Sequence, residues 1–399
     1  MATRQQTTTE VAIVGGGPAG LMLAHLLQVA GISSVVVENR TRLAIEQTVR
    51  AGILEADTVR LLVESGVSDR VLRDGHAHDG ISLRFDGAHH RVDFQALVGE
   101  SAWLYPQTDV FLDLADARER DGGDVRYGVS DTQPVDLTTE RPGVLFTDAQ
   151  GNDHEIRARL VIGADGSRST CRQQIPEGQR RQFTREYPFA WFGILCEAPP
   201  SHPELVYAHS PRGFALVSQR TETVQRMYFE CDPDEDVDAW SDDRIWSELQ
   251  ARCDGDDGFA LHRGKVVDKS VLRFRSFVCE PMRYGSLLLA GDAAHTVPPT
   301  GAKGLNLALA DVRVLAEVLE QALRGHGDVD DVLDTYSPRA QQRVWKAQHF
   351  SYWLTTMLHA VPDGSDFDRR RQLGELESVV SSEAGSRYLA EGYTGWPAS

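Results

Sequence analysis

The sequence G-x-G-x-x-G constrains this chain more than any other feature, because it stands between an apolar strand and an apolar helix. Residues 11–14 form the strand, residues 15–20 hold the motif, and residues 21–30 form the helix. The next strand is rich in β-branched residues and ends at Glu38, where a carboxylate can accept hydrogen bonds from ribose hydroxyls. Three glycines serve the tight turn, the approach of a pyrophosphate to the backbone, and the close packing of helix against strand: Gly15, Gly17 and Gly20. This context predicts a Rossmann-like dinucleotide-binding unit.

A second strand, turn and helix occur near residue 300. The apolar strand at 286–290 leads into the loop G-D-A-A-H-T-V-P-P-T-G-A-K-G-L-N at 291–306, and a helix is predicted over 305–323. Prolines stiffen one part of this loop, and glycines let a ligand approach its backbone. The start of the helix offers backbone N–H groups to an anion or a reduced, negatively charged ring. Asp292 can accept from a ribitol or ribose hydroxyl, so the loop is a candidate second contact for the dinucleotide; an ordinary connecting turn is the alternative.

Composition limits the classes of function. The 399 residues can bury a large core in two or three lobes, and 41% hydrophobic and 25% charged residues are typical of a globular protein. Neither a membrane-spanning apolar run nor a signal peptide is visible, so we expect a cytoplasmic protein. Five scattered cysteines without a C-x-x-C pair argue against a disulfide framework or a zinc site, and no metal is expected. The net charge of −18 argues against nucleic acid as a partner.

Hydrophobic patterns elsewhere predict a second sheet. A hairpin is expected around Asp86-Gly87, and the aromatic, alternating segment 187–232 indicates antiparallel strands, to which residues 266–279 return. The predicted helices cover 240–253, most of 305–357, and 366–395. The fold class is therefore α/β (α+β), and three parts are expected: a Rossmann-like dinucleotide-binding domain over residues 1–183 (with 78–106 contributing to the substrate side), an inserted antiparallel-sheet substrate domain over 184–280, and a helical C-terminal region over 281–399 that begins with the loop at 291–306.

Polar residues at strand ends and turns are candidates for ligand contacts. A glycine-punctuated turn carries Asp165 and Arg168, and Gln107 stands where a strand end meets a helix. Arg50 is either a phosphate or flavin contact or a solvated arginine. His78 precedes the hairpin, and a lone histidine is more often structural than catalytic. Because only one Rossmann fingerprint is present, a second dinucleotide would need a site of another kind.

Three motifs taken together resemble those of the single-component FAD-dependent aromatic monooxygenases. They are G-G-G-P-A-G at 15–20, A-D-G-S at 164–167, and the loop at 291–306. The run from 204 to 220, with E-L-V-Y-A, P-R-G-F-A-L and S-Q-R, is similar to members of that family that act on 4-hydroxybenzoate. The resemblance extends from about residue 11 to residue 397, nearly the whole chain.

The resemblance implies FAD as cofactor, NADH or NADPH as reductant, O2 as oxidant, and a homodimer. In this family a flavin C4a-hydroperoxide places one oxygen atom ortho to a phenol hydroxyl. The expected reaction therefore converts 4-hydroxybenzoate into 3,4-dihydroxybenzoate. The analogues 4-aminobenzoate and 3,4-dihydroxybenzoate stay open as substrates, because a change of para substituent alters only a few contacts.

The resemblance also implies roles for individual residues. Around the substrate carboxylate it places Arg220, as the ion partner, with Ser218, Gln219 and Tyr228. Around the phenol it places Tyr207 at the oxygen, Tyr393 behind Tyr207, His78 at the outer end of a proton relay, and Pro299 and Thr300 along the ring. The residues implied to hold FAD are Gly15, Gly17, Gly20, Glu38, Arg50, Gln107, Asp165, Asp292, Leu305 and Asn306. Arg168 and Arg275 match positions that contact the nicotinamide dinucleotide.

One segment departs from the family pattern. Thr48 stands where family members carry a second arginine, and Glu46 is close by. Arg40 and Arg42 favour a 2′-phosphate, whereas Glu46 and Thr48 do not. Exposed charge pairs are each worth roughly 0–1 kcal/mol. We therefore expect discrimination within about tenfold, with a slight preference for NADH.

The chemistry supports the roles of the relay residues independently. An electrophilic oxygen donor needs an electron-rich ring, and a phenol titrates near pH ~10. Lowering that pKa by about two units requires roughly 2.7 kcal/mol of preferential stabilisation of the phenolate. Tyrosine and histidine side chains can supply it and carry the proton away. A flavin-dependent halogenase is a different class, but the chain has no Trp-x-Trp-x-x-Pro run. In a flavin-binding regulator the relay residues would serve no purpose.

Overall fold

The computed structural model of the chain describes residues 4–48 and 52–396. In chain order its strands are β1 Gln5–Thr8, β2 Val11–Val14, β3 Ser34–Glu38, β4 Ile53–Leu54, β5 His76–His78, β6 Gly80–Phe85, β7 Ala88–Asp93, β8 Ala102–Leu104, β9 Asp124–Tyr127, β10 Ser130–Val135, β11 Gly143–Thr147, β12 Asp153–Arg157, β13 Leu160–Gly163, β14 Arg181–Glu197, β15 Leu205–Ser210, β16 Gly213–Gln219, β17 Gln225–Cys231, β18 Lys265–Glu280, β19 Arg283–Tyr284, β20 Leu287–Leu289 and β21 His295–Thr296. Its α-helices are α1 Pro18–Val29, α2 Arg42–Glu46, α3 Ala56–Glu64, α4 Arg70–Asp74, α5 Phe94–Val98, α6 Gln107–Arg120, α7 Thr170–Gln173, α8 Asp242–Cys253, α9 Gly304–Arg324, α10 Val329–Asp334, α11 Tyr336–Leu358, α12 Asp366–Val380 and α13 Glu383–Thr394. Turns of 3-10 helix cover Val237–Ala239, Gly291–Ala293 and Pro299–Gly301.

A largely parallel sheet forms the first layer, in the order β19-β20-β13-β2-β3-β9. The strands β20, β13, β2, β3 and β9 run parallel, and β19 joins one edge antiparallel. The strands β20, β13, β2 and β3 are buried on both faces, which explains their mostly apolar sequences, whereas the edge strand β9 is polar and partly exposed. Helix α1 packs against both α6 and α9 beside this sheet. The carboxyl ends of β2, β13 and β20 meet at one edge, where the loops that follow them form the cofactor cleft described below. The predicted Rossmann-like unit is confirmed.

A second sheet follows the order β21-β18-β14-β17-β16-β15-β6-β7 among the described residues. Its strands pair antiparallel except β15 with β6, which are parallel because the predicted hairpin β6–β7 joins this sheet from much earlier in the chain. Side chains alternate between two cores. One face of β15 and β16, including Val206 and Ala215, packs towards α8. The other face, including Tyr207 and Phe214, packs towards α11–α13. The period-two pattern therefore decides which side chains face the helical region.

Several strands escaped the sequence analysis, including β1, β9 and β10. The polar segment β1 pairs parallel with β12 at the edge of a further sheet, β1-β12-β11-β10. Its residues are mostly exposed, so it carries no apolar alternation that could reveal a strand. The predicted C-terminal helices are confirmed as α9–α13. The division of the chain at residues 183 and 280 stays a prediction. No helix in residues 4–48 or 52–396 combines the length and apolar character needed to span a membrane.

Candidate active site

A cleft of about 1200 Å³ lies at the carboxyl ends of the parallel strands. The loops after β2, β3, β13 and β20, together with the starts of α6 and α9, form its walls. Of the residues proposed from the sequence, eight line it: Gly15, Gly17, Glu38, Gln107, Asp165, Arg168, Asp292 and Leu305. The sequence therefore predicted residues from five separate segments that the fold brings to one cavity, of a size suited to a large organic ligand.

The glycine turn leaves its backbone open to this cleft. Gly15 has φ +111°, and a Cβ there would lie 2.2 Å from the carbonyl oxygen of Ala164. A Cβ on Gly20 would lie 1.9 Å from the carbonyl oxygen of Gly15, so Gly20 serves helix packing rather than a ligand. Gly17 has no heavy atom within 4 Å of its Cβ position, and no side chain caps the start of α1 after it. The backbone N–H groups at this helix start are therefore available to a pyrophosphate, so the residues present fit a dinucleotide.

The Glu38 carboxylate is held in place at the end of β3. Its Oε2 accepts from the backbone N–H of Gly16 at 2.8 Å, and its Oε1 accepts from the N–H of Arg40 at 3.0 Å. The side chain is buried yet lines the cleft. Oε1 also accepts from Arg40 Nε at 3.2 Å, so the second lone pair of Oε2 is the position at which an oriented Glu38 can still bind a ribose hydroxyl.

The Asp165 carboxylate binds its own loop. It accepts from the backbone N–H groups of Thr170 at 2.7 Å and Cys171 at 3.0 Å, and from the hydroxyl of Ser169 at 2.5 Å. Asp165 thus fixes the turn that carries the exposed Arg168 to the cleft, and any contact of its own with a cofactor would use the remaining lone pairs. The sequence did not reveal this supporting role.

A buried ion pair shapes the loop at 291–306. The Asp311 carboxylate, on α9, accepts from the backbone N–H of Gly291 at 2.9 Å and lies 2.5 Å from His295 Nε2. Burial alone lowers the pKa of His295, but the Asp311 charge and hydrogen bond outweigh burial and raise that pKa above its ordinary value. Sequence reasoning missed Asp311, although an acid on the apolar face of a helix is a usable signal.

Asn306 fastens the same loop to the segment after β4. Its Nδ2 donates to the carbonyl oxygens of Ile53 and Ala302, both at 2.8 Å, and its Oδ1 accepts from the N–H of Glu55 at 2.9 Å. The side chain is therefore engaged by protein groups, and it lies outside the lining of the cofactor cleft. Of the two residues proposed here, Leu305 reaches the cleft and Asn306 positions the loop.

Lys303 forms a second buried ion pair that sequence reasoning missed. Its Nζ lies 2.6 Å from Glu55 Oε1, and Glu55 Oε2 accepts from Arg343 at 2.8 Å. Both Lys303 and Glu55 are buried. Burial lowers the pKa of Lys303, and the Glu55 charge opposes that shift. The buried cation Lys303 therefore joins the loop at 291–306 to Glu55.

Two buried tyrosines meet next to Thr300 in the loop at 291–306. The hydroxyl oxygens of Tyr207 and Tyr393 are 2.7 Å apart, and the Tyr207 hydroxyl can also donate to the carbonyl oxygen of Thr300 at 3.2 Å. The Thr300 hydroxyl lies 2.9 Å from that of Thr355 on α11, which the sequence analysis did not single out. Burial raises the pKa of Tyr207 despite the hydrogen bond to Tyr393, so Tyr207 stays a neutral hydroxyl near neutral pH.

The proposed carboxylate-binding residues lie on the neighbouring strands. Tyr207 pairs with Leu216 across β15 and β16, and Leu216 pairs with Tyr228 on β17. Alternation places Ser218 on the same face of β16 as Leu216, and Arg220 follows just beyond the end of that strand. Arg220 is 9% exposed, and burial lowers the pKa of its guanidinium. The Tyr228 hydroxyl accepts from Arg226 Nε at 3.2 Å, and the Ser218 hydroxyl donates to the carbonyl oxygen of Gln219 at 3.1 Å. Pro299, which the resemblance implies to lie along the ring, begins a 3-10 turn.

Two other proposed residues lie away from these groups, and a third is outside the described residues. His78 is 3% exposed, burial lowers its pKa to about 4, and no hydrogen bond joins it to Tyr207 or Tyr393 within the described residues. Arg275 is exposed on β18, with its guanidinium over the Phe277 ring and outside the cofactor cleft. Arg50 lies outside the described residues. No cluster of potential metal ligands occurs in the part of the chain that the structure describes.

Comparison with known proteins agrees with this architecture. Residues 8–351 match the sequence family described as FAD binding domain. The chain is 43% identical over 395 residues to p-hydroxybenzoate hydroxylase of Acinetobacter baylyi, covering 98% of this chain and 96% of that protein. It is 30% identical to a 3-(3-hydroxy-phenyl)propionate/3-hydroxycinnamic acid hydroxylase of Mycobacterium avium, covering 82% of this chain and 57% of that protein. The fold is shared with p-nitrophenol 4-monooxygenase of Pseudomonas putida, with a TM-score of 0.83 at 21% identity over 98% and 100% of the two chains.

The Rossmann-like cleft, the second sheet joined to it and the family match together define the class of this protein. It is a flavin-dependent monooxygenase that acts on aromatic compounds. Within that class, the chain belongs to the family of FAD-dependent aromatic hydroxylases that contains p-hydroxybenzoate hydroxylase. Its cofactor is FAD, and a nicotinamide dinucleotide is the reductant typical of the family.

Proposed function

We propose that this enzyme hydroxylates 4-hydroxybenzoate at C3, giving 3,4-dihydroxybenzoate, with NAD(P)H and O2. One observation carries the proposal: the hydroxyls of Tyr207 and Tyr393 form a buried pair beside β16, and the buried Arg220 follows directly after that strand. A small aromatic ring with a phenol at one end and a carboxylate at the other matches these groups. The 43% identity to p-hydroxybenzoate hydroxylase over nearly the whole chain supports the same substrate.

Arg220 binds the carboxylate in this account. A guanidinium presents a planar fork of donors that matches a carboxylate with two parallel hydrogen bonds. Because Arg220 is largely removed from water, its attraction for an anion is screened little. Ser218, Gln219 and Tyr228 lie along the neighbouring strands and fix the orientation of the ring, with Pro299 against its face.

Tyr207 and Tyr393 activate the phenol in this account. Tyr207 keeps its own proton near neutral pH, so it can donate a hydrogen bond to a substrate phenolate. Stabilising the phenolate by about 2.7 kcal/mol lowers the substrate pKa by roughly two units. The Thr300 carbonyl and the Tyr393 hydroxyl give Tyr207 alternative partners, so hydroxyl rotation can carry the phenol proton away from the ring. A buried His78 with a low pKa would receive that proton only transiently.

The cofactor cleft supplies the redox chemistry. FAD would be held by Gly15, Gly17, Glu38, Gln107, Asp292 and Leu305, and it would supply the redox chemistry by which NAD(P)H oxidation is linked to entry of one oxygen atom of O2 into the ring. The other oxygen atom leaves as water, so one substrate, one O2, one NAD(P)H and one proton give one catechol, one NAD(P)+ and one water. Arg168, at the cleft, and Arg275, on β18, are the proposed contacts of the reductant.

Two analogues, 4-aminobenzoate and 3,4-dihydroxybenzoate, share the carboxylate and differ at the ring. A homodimer in the cytoplasm stays part of the proposal. The test is to supply the FAD-loaded enzyme with NADH, O2 and each benzoate in turn and to identify the products by chromatography. We expect 4-hydroxybenzoate to give 3,4-dihydroxybenzoate with the highest kcat/KM of the three. A higher kcat/KM for either analogue would contradict the substrate assignment.

A further inference from the structure

A second cavity, of about 330 Å³, lies behind the loop at 291–306. It is bounded by α3, α9, α11 and Trp396, the second residue after α13. Helix α9 separates it from the cofactor cleft: Leu305 and Ala308 face the cleft, whereas Leu309 and Arg313 face this cavity. We call it the rear cavity, and its lining is Asp57, Thr58, Leu61, Asn306, Leu309, Ala310, Arg313, Val314, Glu317, Arg339, Gln342, Arg343, Lys346 and Trp396.

The rear cavity carries an excess of positive charge in a protein whose net charge is −18. Four of its lining residues are cations and two are acids. Arg339 pairs with Glu317 at 2.6 Å, and Arg343 pairs with Glu55. The other two cations are Arg313 and Lys346, and neither forms an ion pair with a carboxylate within residues 4–48 and 52–396. Arg313 donates only to the backbone carbonyl of Asp57, at 3.3 Å.

Lys346 contacts a ring instead of an acid. Its Nζ lies 4.5 Å from the centroid of the Trp396 ring, and Lys303 Nζ lies 5.2 Å from the same centroid. Burial and the neighbouring Arg343 lower the pKa of Lys346, although Glu391 opposes the shift. Because Lys346 and Lys303 both lie beside the Trp396 indole, the surroundings of this ring are positively charged. Leu61, Leu309 and Val314 provide apolar surface next to them.

We infer that the rear cavity binds a small carboxylate anion with an apolar or aromatic body, held by Arg313 and Lys346 with its body against Trp396 and the leucines. The cavity volume is at the lower end of those that hold small molecules, which suits a benzoate-sized ligand. This site is separate from the substrate site at Tyr207 and Arg220.

An anion in the rear cavity is connected to the active-site loop. Arg343 lines the cavity and binds Glu55, which binds Lys303 within the loop at 291–306. Asn306 also lines the cavity and fastens that loop to residues 53–55. A bound anion adds negative charge behind the loop and competes with Glu55 for Arg343. It therefore weakens binding of an anionic substrate, and by linkage the substrate weakens binding of the anion by the same factor.

Calorimetric titration with benzoate tests this inference on the full-length, FAD-loaded enzyme. Titration with 4-hydroxybenzoate comes first, on the wild type and on Arg313→Gln/Lys346→Gln. The binding that both proteins share reports on the proposed substrate site, so failure of that proposal is visible separately. Benzoate is then added at the lowest 4-hydroxybenzoate concentration that fills the shared site. We compare the wild type with Arg313→Gln/Lys346→Gln and with a control of equal charge change, Arg324→Gln/Arg369→Gln. Arg324 and Arg369 are exposed and lie outside the rear cavity.

We expect the wild type and the control to bind one benzoate in addition to 4-hydroxybenzoate, and the cavity variant to bind it at least tenfold more weakly. A charge-conserving variant, Arg313→Lys/Lys346→Arg, should keep this binding, which separates loss of charge from loss of fold. The inference is overturned if the wild type takes up no additional benzoate. It is also overturned if the cavity variant and the control bind benzoate equally well.

Discussion

The hydroxyl oxygens of Tyr207 and Tyr393 lie 2.7 Å apart, although the two residues are 186 positions apart in the chain. One tyrosine comes from β15 of the second sheet and the other from α13. Their meeting requires the helical C-terminal region to close over the sheet face that carries Phe214 and Tyr228. The contact therefore joins two parts of the fold at the point where the account places the substrate phenol.

Replacing Tyr207 by Phe removes one hydroxyl and should separate reductant oxidation from hydroxylation. Without that donor the bound phenol should shift towards its neutral form. The ring of a neutral phenol is less reactive towards an electrophilic oxygen donor. We expect the amount of 3,4-dihydroxybenzoate formed per NADH consumed to fall at least tenfold. Tyr187→Phe, which removes a hydroxyl bonded to Ser276 on the same sheet, is the control and should keep the wild-type ratio. A Tyr207→Phe enzyme with the wild-type ratio would exclude Tyr207 from ring activation.

Replacing Arg220 by Ala should abolish tight substrate binding and leave FAD bound. Loss of the charged partner of a buried carboxylate costs on the order of 2–5 kcal/mol, or about two to three decades in Kd. The measurement is a spectral titration of the flavin with 4-hydroxybenzoate. Arg212→Ala removes an exposed arginine paired with Glu248 from the neighbouring turn and should leave Kd unchanged. If both variants bind 4-hydroxybenzoate alike, Arg220 does not hold the carboxylate.

The His295–Asp311 pair should make stability depend on pH in the neutral to alkaline range. The pKa of His295 is raised in the folded protein, whereas an unfolded histidine titrates near 6.5. Its contribution is therefore complete below about pH 6.5 and is lost as pH rises through the higher folded pKa. A hydrogen bond to a charged group is worth about 1.5–3 kcal/mol.

The measurement for this pair is the free energy of unfolding of the wild type and of His295→Asn between pH 6 and pH 9. We expect the variant to be less stable by about 2 kcal/mol at pH 6 and the difference to shrink towards pH 9. A difference that grows with pH would contradict the raised pKa. His295 also shapes the loop at 291–306, so FAD content is checked in both proteins.

Discrimination between NADH and NADPH should depend on carboxylates that hold Arg42. The Arg42 guanidinium donates to Glu46 at 2.7 Å and to Glu119 at 2.8 Å, and it also binds Asp116. If residues 39–48 meet the 2′-phosphate, as proposed, this arginine is already neutralised. We expect NADH to be preferred within about tenfold, and Asp116→Asn/Glu119→Gln to raise kcat/KM for NADPH several-fold, since exposed pairs are worth roughly 0–1 kcal/mol each. The measurement is kcat/KM for NADH and for NADPH at fixed ionic strength. A hundredfold preference of the wild type for NADPH would contradict the placement of the 2′-phosphate at residues 39–48.

Local patterns were sufficient to predict the fold class and the cofactor. The glycines at 15–20 specify a turn whose geometry excludes side chains, as the 1.9 Å approach at Gly20 shows. The alternation along β15 and β16 likewise determined which residues face the helical region. Such signals are local in sequence, so they need no knowledge of the tertiary structure.

The residues that support the site were not predictable in the same way. Asp311, Lys303 and Glu55 act through buried partners, two of them about 250 positions apart in the chain. Likewise, the carboxylate of Asp165 and the amide of Asn306 bind protein groups, which a motif cannot show. Only the packed structure distinguishes a residue that faces the ligand from one that positions its neighbour.

Reaction of the FAD-loaded enzyme with 4-hydroxybenzoate, NADH and 18O2 tests the central claim most directly. Mass spectrometry of the isolated product reports where the new oxygen came from, and its chromatographic identity reports the ring position. The account predicts 3,4-dihydroxybenzoate with one 18O atom, formed in a ratio close to one per NADH consumed. Hydrogen peroxide as the main product, unlabelled product, or hydroxylation at another carbon would contradict it.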